Sequence, residues 1–312
     1  MKPDILLLEP MMAEIEAKLD SLYQVHRLFN AADTASVVSR VGKQVRGIVT
    51  GGGTGASKAL VDALPALEII AINGIGTDAV DLHHARDHSI IVTTTPGVLT
   101  DDVADLAWAL LLATARRVSF ADRFVRAGRW PRGGPPLSTK VSGKRLGIFG
   151  LGKIGLAIAK RAEGFDMPVA YSGRSRNETV AYRYEPSLEG LAAASDFLII
   201  SVSASPATRG IVSRAVLDAL GPAGILVNVA RGSVVDEPAL VAALAEGRIG
   251  GAGLDVFAHE PQVPEALWAM DNVVLQPHQA SATVETRLAM ANLVLANLEA
   301  HFAGRGPITP VV

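Results

Sequence analysis

The sequence predicts an α/β protein whose larger part is a doubly wound parallel sheet, and three observations carry that prediction. From residue 146 onward, six short hydrophobic runs recur at 146–149, 168–171, 197–202, 225–229, 253–256 and 273–275. Helical segments at about 153–164, 187–194, 213–220 and 238–246 separate most of them, the alternation that crossover connections between parallel strands produce. A glycine-rich turn, Gly150-Leu151-Gly152-Lys153-Ile154-Gly155, joins the first run to the first helix.

The first hundred residues repeat the logic with candidate strands at 5–8, 24–28, 47–49, 69–72 and 90–92, a smaller α/β domain. A long helical pattern over 101–127 follows. Thr100 or Asp101 caps it, and Asp102 and Asp105 sit favourably near the positive end of its dipole. Pro, Gly and Arg then break the pattern at 130–136, as in an exposed loop or a subunit-contacting arm. The apolar helix at 284–302 returns the chain to the first domain. The expected division is therefore 1–98 with 286–312 for one domain and 99–285 for the other, with hinges near 97–100 and 282–285. A length of 312 residues agrees with two cores rather than one.

Bulk properties remove several function classes. A net charge of −2 and a pI near 6.4 give no general attraction to phosphate backbones, so no nucleic-acid partner is expected. The absence of cysteine excludes disulfides, thiolate nucleophiles and cysteine-ligated zinc. His83 and His84 lie in a predicted helix over 78–87, with His88 directly after it; the three offer no persuasive ligand set, and no metal is expected. The apolar stretch 106–115 is shorter than the roughly 20 residues that span a bilayer. The amino terminus lacks a secretory pattern, so no membrane partner and a cytoplasmic location are expected.

The glycine turn follows a strand and opens a helix, the context that makes it a dinucleotide-binding signal. Gly150 permits the tight turn, Gly152 lets backbone approach a pyrophosphate, and Gly155 brings helix against strand. The amides around Lys153 and Ile154 then point at the anion. At the end of the next strand, Ser172, Arg174, Ser175 and Arg176 stand where an acidic residue would otherwise hold the ribose hydroxyls. Two arginines suit a 2′-phosphate, so NADP(H) is expected to be preferred, with NAD(H) possible. Arg231, Glu260 and His278 each follow a later strand-like run. Carboxyl ends of parallel strands face one crevice, so these three can share a site.

Several further motifs make the resemblance specific. They are Asn73-Gly74-Ile75-Gly76-Thr77-Asp78, residues 95–105 beginning Thr95-Pro96-Gly97, Val229-Ala230-Arg231-Gly232, Gly253-Leu254-Asp255-Val256-Phe257 with Glu260-Pro261, and Pro277-His278. Together with the glycine turn, the chain resembles the D-isomer-specific 2-hydroxyacid dehydrogenases, especially their glyoxylate/hydroxypyruvate reductase branch. The resemblance implies a Rossmann cofactor domain inserted in a smaller flavodoxin-like substrate domain, and a homodimer. It implies NADPH-dependent reduction of small 2-keto acids, glyoxylate and hydroxypyruvate, to glycolate and D-glycerate.

Residue roles follow from the same resemblance and make chemical sense. Arg231 offers a planar fork of donors to the substrate carboxylate and polarises the keto oxygen. His278 exchanges the proton, and Glu260 favours its charged form and fixes its orientation. Gly52, Gly53, Ile75 and Gly76 present amides to the substrate. Thr100, Val202, Val229 and Ala230 border the cofactor, and Asp255 either accepts from the nicotinamide carboxamide or caps local backbone. Trp130 either packs at an interface or reaches a neighbouring subunit's pocket. Such a substrate requires residues of both domains, so domain closure is expected. Two alternatives stay open: a related dehydrogenase acting on phosphite, phosphoglycerate or a larger 2-keto acid, and a dinucleotide-sensing corepressor-like binding protein.

Overall fold

Runs that are apolar on both faces become strands only where both faces are covered. In the computed structural model, which describes residues 2–312, this happens in two units. One comprises the chain up to Leu99 together with Ser281–Val312, the other Thr100–Ala280.

In the first unit, β1 (Asp4–Leu7), α1 (Ala13–Leu22), β2 (Gln24–Arg27), α2 (Thr34–Val41), β3 (Val45–Gly51), α3 (Lys58–Asp62), β4 (Ile69–Asn73), α4 (Leu82–Asp87) and β5 (Ile91–Thr93) alternate along the chain. The strands form one parallel sheet in the order β2-β1-β3-β4-β5, the flavodoxin-like winding. Strand periodicity sorts the core into two layers. Ile5, Leu7, Ile69 and Ala71 pack with Ile15 and Leu19 on one face, while Leu6, Ile48, Ile70 and Ile72 pack with Val61 and Leu64 on the other. Asp33, Ser57 and Asp81 cap the short helices by accepting amide hydrogen bonds.

The second unit runs α5 (Thr100–Ala115), α6 (Val118–Arg126), β6 (Leu146–Phe149), α7 (Lys153–Ala162), β7 (Val169–Ser172), β8 (Arg183–Tyr184), α8 (Leu188–Ala193), β9 (Phe197–Ile200), α9 (Arg214–Leu220), β10 (Ile225–Asn228), α10 (Glu237–Ala245), β11 (Gly251–Leu254) and β12 (Val273–Leu275). The final helix, α11 (Val284–Phe302), belongs to the first unit and covers the Ile5/Leu7 layer with Ala291, Val294 and Leu298. The second sheet is parallel throughout, in the order β12-β11-β10-β9-β6-β7-β8. Counted from β6, this is the dinucleotide-binding order 3-2-1-4-5-6 with one added strand. Its switch point, between β6 and β9, lies beside the glycine turn.

Three differences from the sequence reading have physical reasons. The helix expected over 101–127 is two helices, because Arg117 turns left-handed at φ 53° between them. No glycine or proline marks the break. The two-residue edge strand β8 is too short to display any period, so seven strands stand where six runs were visible. The run expected at 253–256 is the strand Gly251–Leu254, whose Gly-Ala-Gly sequence hides its strand character.

Those glycines are needed because α5 lies on β11. A Cβ at Gly253 would meet Leu110 Cβ at 2.9 Å, and one at Gly251 would meet Thr114 Cγ2 at 2.9 Å. Gly253→Val is therefore expected to destabilise the protein by about 1–3 kcal/mol through overpacking. Urea denaturation checks this, and an unchanged midpoint would remove the packing explanation.

Candidate active site

Three consecutive neighbours in the second sheet, β10, β11 and β12, deliver the polar residues singled out in the sequence. Arg231 lies three residues beyond β10. Asn228, buried at the strand end, shapes this turn: its Nδ2 donates to the Arg231 carbonyl at 3.0 Å, and its Oδ1 accepts the Ala230 amide at 3.0 Å. Arg231 Nη1 donates to the Ala230 carbonyl at 2.8 Å. Gly232 then passes so close to the backbone of Phe257 and Ala258 that a Cβ would collide with it. The loops after β10 and β11 are thereby held together.

Glu260 sits in the loop after β11. Its Oε1 accepts the Phe257 amide at 3.0 Å, and its Oε2 lies 2.7 Å from His278 Nδ1. Burial pushes the Glu260 carboxyl up, but the His278 hydrogen bond, the Phe257 amide and the charges of His278 and Arg231 together hold it below its ordinary value. An ionised carboxylate only accepts, so Nδ1 carries the proton in this pair and Nε2 is left for other chemistry.

His278 follows β12 in a left-handed conformation, φ 56°. A side chain there costs roughly 1–2 kcal/mol, so the position must be enforced from outside. Asp255 does this. Its carbonyl accepts the His278 amide at 2.8 Å, while its carboxylate oxygens accept the amides of Gln279 at 2.6 Å and Ala280 at 3.1 Å. Asp255 is completely buried, and that burial, opposed by the amides and the nearby His278, holds its carboxyl above the ordinary range. Of its two expected roles, capping of local backbone is the one its hydrogen bonds serve.

At the switch point, Gly150 adopts φ 100°, and a Cβ there would meet the Val202 backbone at 2.6 Å. A Cβ on Gly155 would collide with the Gly150 carbonyl. A Cβ on Gly152, by contrast, would meet nothing within 4 Å, so open space faces its backbone. Gly152 is the N-cap of α7 and supplies no side-chain acceptor, which leaves the first-turn amides around exposed Lys153 and half-buried Ile154 for an anion. This open cradle at a ten-residue helix fits a pyrophosphate.

The next strand end divides the four residues expected at the ribose. Ser172 is buried, and its carbonyl accepts the Gly150 amide at 2.8 Å. Arg174, Ser175 and Arg176 are exposed, with Arg176 Nε 3.3 Å from Glu178. Val229 and Ala230 are buried beyond β10, and Thr100 opens α5. Trp130, in a single helical turn at 130–132, is exposed, as is Leu137.

In the first unit, the loops after β3 and β4 lie side by side, because Gly51 and Asn73 pair in register. Gly52 and Gly53 follow the first strand, and Ile75 and Gly76 follow the second; a Cβ on Gly53 would meet nothing within 4 Å. Sequence reasoning missed Asn228, although an asparagine ending an apolar strand is a legible turn signal. It also missed the clasp formed by Asp255 on the His278 loop, which no local pattern announces. Among the described residues, no helix is long and apolar enough to cross a membrane.

The chain is similar to known proteins over nearly its whole length. Residues 108–280 match the family model described as D-isomer specific 2-hydroxyacid dehydrogenase, NAD binding domain. A hydroxyphenylpyruvate reductase of Plectranthus scutellarioides is 49% identical over 308 residues, spanning 99% of this chain and 98% of that one. Glyoxylate/hydroxypyruvate reductase A of Arabidopsis thaliana is 47% identical over 308 residues, with the same coverage. The crystal structure of an NADPH-dependent glyoxylate/hydroxypyruvate reductase from Sinorhizobium meliloti, in complex with NADP and malonate, superposes with a TM-score of 0.94 at 46% identity, covering 100% of this chain and 97% of that one. The chain belongs to the D-isomer-specific 2-hydroxyacid dehydrogenase family.

Proposed function

We propose that the protein reduces small 2-keto acids, glyoxylate and hydroxypyruvate foremost, to 2-hydroxy acids with NADPH. The observation that carries this reading is the delivery of Arg231, Glu260 and His278 by three adjacent strands, with Glu260 and His278 joined at 2.7 Å. Relatives named for glyoxylate and hydroxypyruvate reduction, alike over nearly the whole chain, support the substrate class.

In this reading, Arg231 holds the substrate carboxylate and draws electron density onto the keto oxygen. When bound, the reduced nicotinamide supplies the hydride to the keto carbon. His278 Nε2 gives a proton to the oxygen as its negative charge develops, and the Glu260 carboxylate stabilises and orients the ring through Nδ1. The order reverses for oxidation of the hydroxy acid.

Arg174, Ser175 and Arg176 are assigned to the 2′-phosphate, a preference for NADPH supported by their exposure at the end of β7 and by the absence of an acidic residue at 172–176. Initial rates of NADPH and NADH oxidation with glyoxylate, hydroxypyruvate, hydroxyphenylpyruvate and 2-ketogluconate test the whole reading. NADPH with one of the first two acids is expected to give the highest kcat/KM. Arg174→Ala with Arg176→Ala is expected to raise KM for NADPH by at least about tenfold and leave that for NADH within about twofold, since only the former carries the extra phosphate. Equal losses with both cofactors would reject the phosphate assignment, and no turnover with any keto acid despite NADPH binding would reject the activity.

A further inference from the structure

Outside the proposed catalytic set, three metal-ligating side chains of the first unit converge. Asp62 ends α3, His84 lies within α4, and His88 is the C-cap of α4, one turn further on. His84 Nε2 lies 2.6 Å from Asp62 Oδ1, and the two imidazole rings stand 4.2 Å apart at 49°. One ligand atom from each residue can be chosen so that all three lie within 4.8 Å of one another. Metal–ligand bonds of roughly 2.0–2.1 Å at tetrahedral angles separate the ligand atoms by about 3.4 Å, so small side-chain rotations bring the set to coordinating distance.

A backbone contact also sets the tautomer of one ring. His88 Nδ1 lies 2.9 Å from the His84 carbonyl, which can only accept; Nδ1 therefore carries the proton and Nε2 keeps its lone pair. Metal-binding histidines commonly use this backbone contact to fix their tautomer. The His84 side chain is only 10% exposed and so has little freedom, whereas Asp62 is half exposed and can adjust. His83 takes no part: its Nδ1 lies 2.9 Å from Asp87 instead.

We propose that Asp62, His84 and His88 form a binding site for a zinc-class divalent cation, with water completing the coordination. Two imidazoles and one carboxylate form a donor set of intermediate softness, suited to Zn²⁺, Ni²⁺ or Cu²⁺ and poorly suited to Mg²⁺ or Ca²⁺. The ion replaces the proton between His84 and Asp62 and ties α3 to α4. These helices have five and six residues, too few to stand without tertiary support, so a cross-link between them stabilises this part of the sheet's cover. The site is not legible from the histidines' own helix, where Asp87 pairs with His83; the carboxylate beside His84 is Asp62, from the preceding helix.

Isothermal calorimetry of untagged, chelator-treated full-length protein with Zn²⁺ tests the proposal. One equivalent is expected to bind, at least about tenfold more weakly in His88→Ala and in Asp62→Asn. Zn²⁺ is expected to raise the thermal midpoint of the wild type and not of His88→Ala, because only a folded site binds the ion. His88→Ala removes an exposed ring and leaves the His84–Asp62 contact in place; should it misfold by circular dichroism, Asp62→Asn carries the comparison. Binding unchanged in the folded variants, or none at about 1 mM free Zn²⁺, overturns the proposal.

Discussion

Asparagine in place of His278 is expected to lower kcat for keto-acid reduction by about 10²–10⁴-fold, the range that a positioned proton donor supplies. At 1.36 kcal/mol per decade, this corresponds to roughly 2.7–5.4 kcal/mol of the barrier. The choice of asparagine matters. Position 278 is left-handed at φ 56°, a conformation that asparagine tolerates better than most residues, so the variant removes the titrating ring with little disturbance of the backbone. The amides of residues 278–280 keep their acceptors on Asp255, and the loop is expected to stay in place. Fluorescence titration with NADPH should therefore give a dissociation constant within about twofold of the wild type, since the ring contributes nothing to the pyrophosphate cradle. A kcat within severalfold of wild type would show that the proton comes from elsewhere, and joint loss of kcat and NADPH binding would point to a structural role.

Arg231→Lys is expected to lower kcat/KM by about 10²-fold, or near 2.7 kcal/mol, even though the charge is kept. The planar fork meets a carboxylate and an adjacent oxygen with two parallel donors; an ammonium offers a point charge on a flexible stem. Keeping the charge separates geometry from electrostatics. Burial alone would push the Glu260 carboxyl up, and the charge of Arg231 is among the influences that hold it down. Glu260 accepts as a carboxylate above its folded pKa, and that acceptor is lost as pH falls through it. With lysine in place, the acid limb of kcat/KM is expected to stay where the wild type has it while the plateau drops. Wild-type kinetics in the variant would dismiss the clamp, and a limb displaced to higher pH would mean that the ammonium does not act on Glu260 as the guanidinium does.

The legible parts of this chain were those with a strong local period. The β6 turn-helix unit announced itself because Gly150, Gly152 and Gly155 stand at a spacing between an apolar run and a helical pattern, and Arg231, Glu260 and His278 could be grouped because every one follows a strand. What escaped was set at a distance. The extent of β11 depends on α5 lying above it, so its Gly-Ala-Gly sequence makes sense only once Leu110 and Thr114 are in place. The break at Arg117 lacks a local stop signal, and residues of ordinary helix propensity gave no reason to divide 101–127. The amides that the Asp255 carboxylate meets lie 24 and 25 residues further on, which no local pattern shows. Asp62 lies 22 residues before His84, beyond the reach of any motif that begins with the histidines.

The attachment of His278 to Asp255 also decides what the intervening chain is free to do. Residues 256–277 leave β11 and come back to it, and the return point is fastened by the end of the departing strand itself. The imidazole's position is thus referenced to β11, and the length and composition of residues 262–272 are not coordinates of the ring. That excursion can change in length or decoration while His278 stays registered to the sheet, so one scaffold can present different surfaces without moving the imidazole.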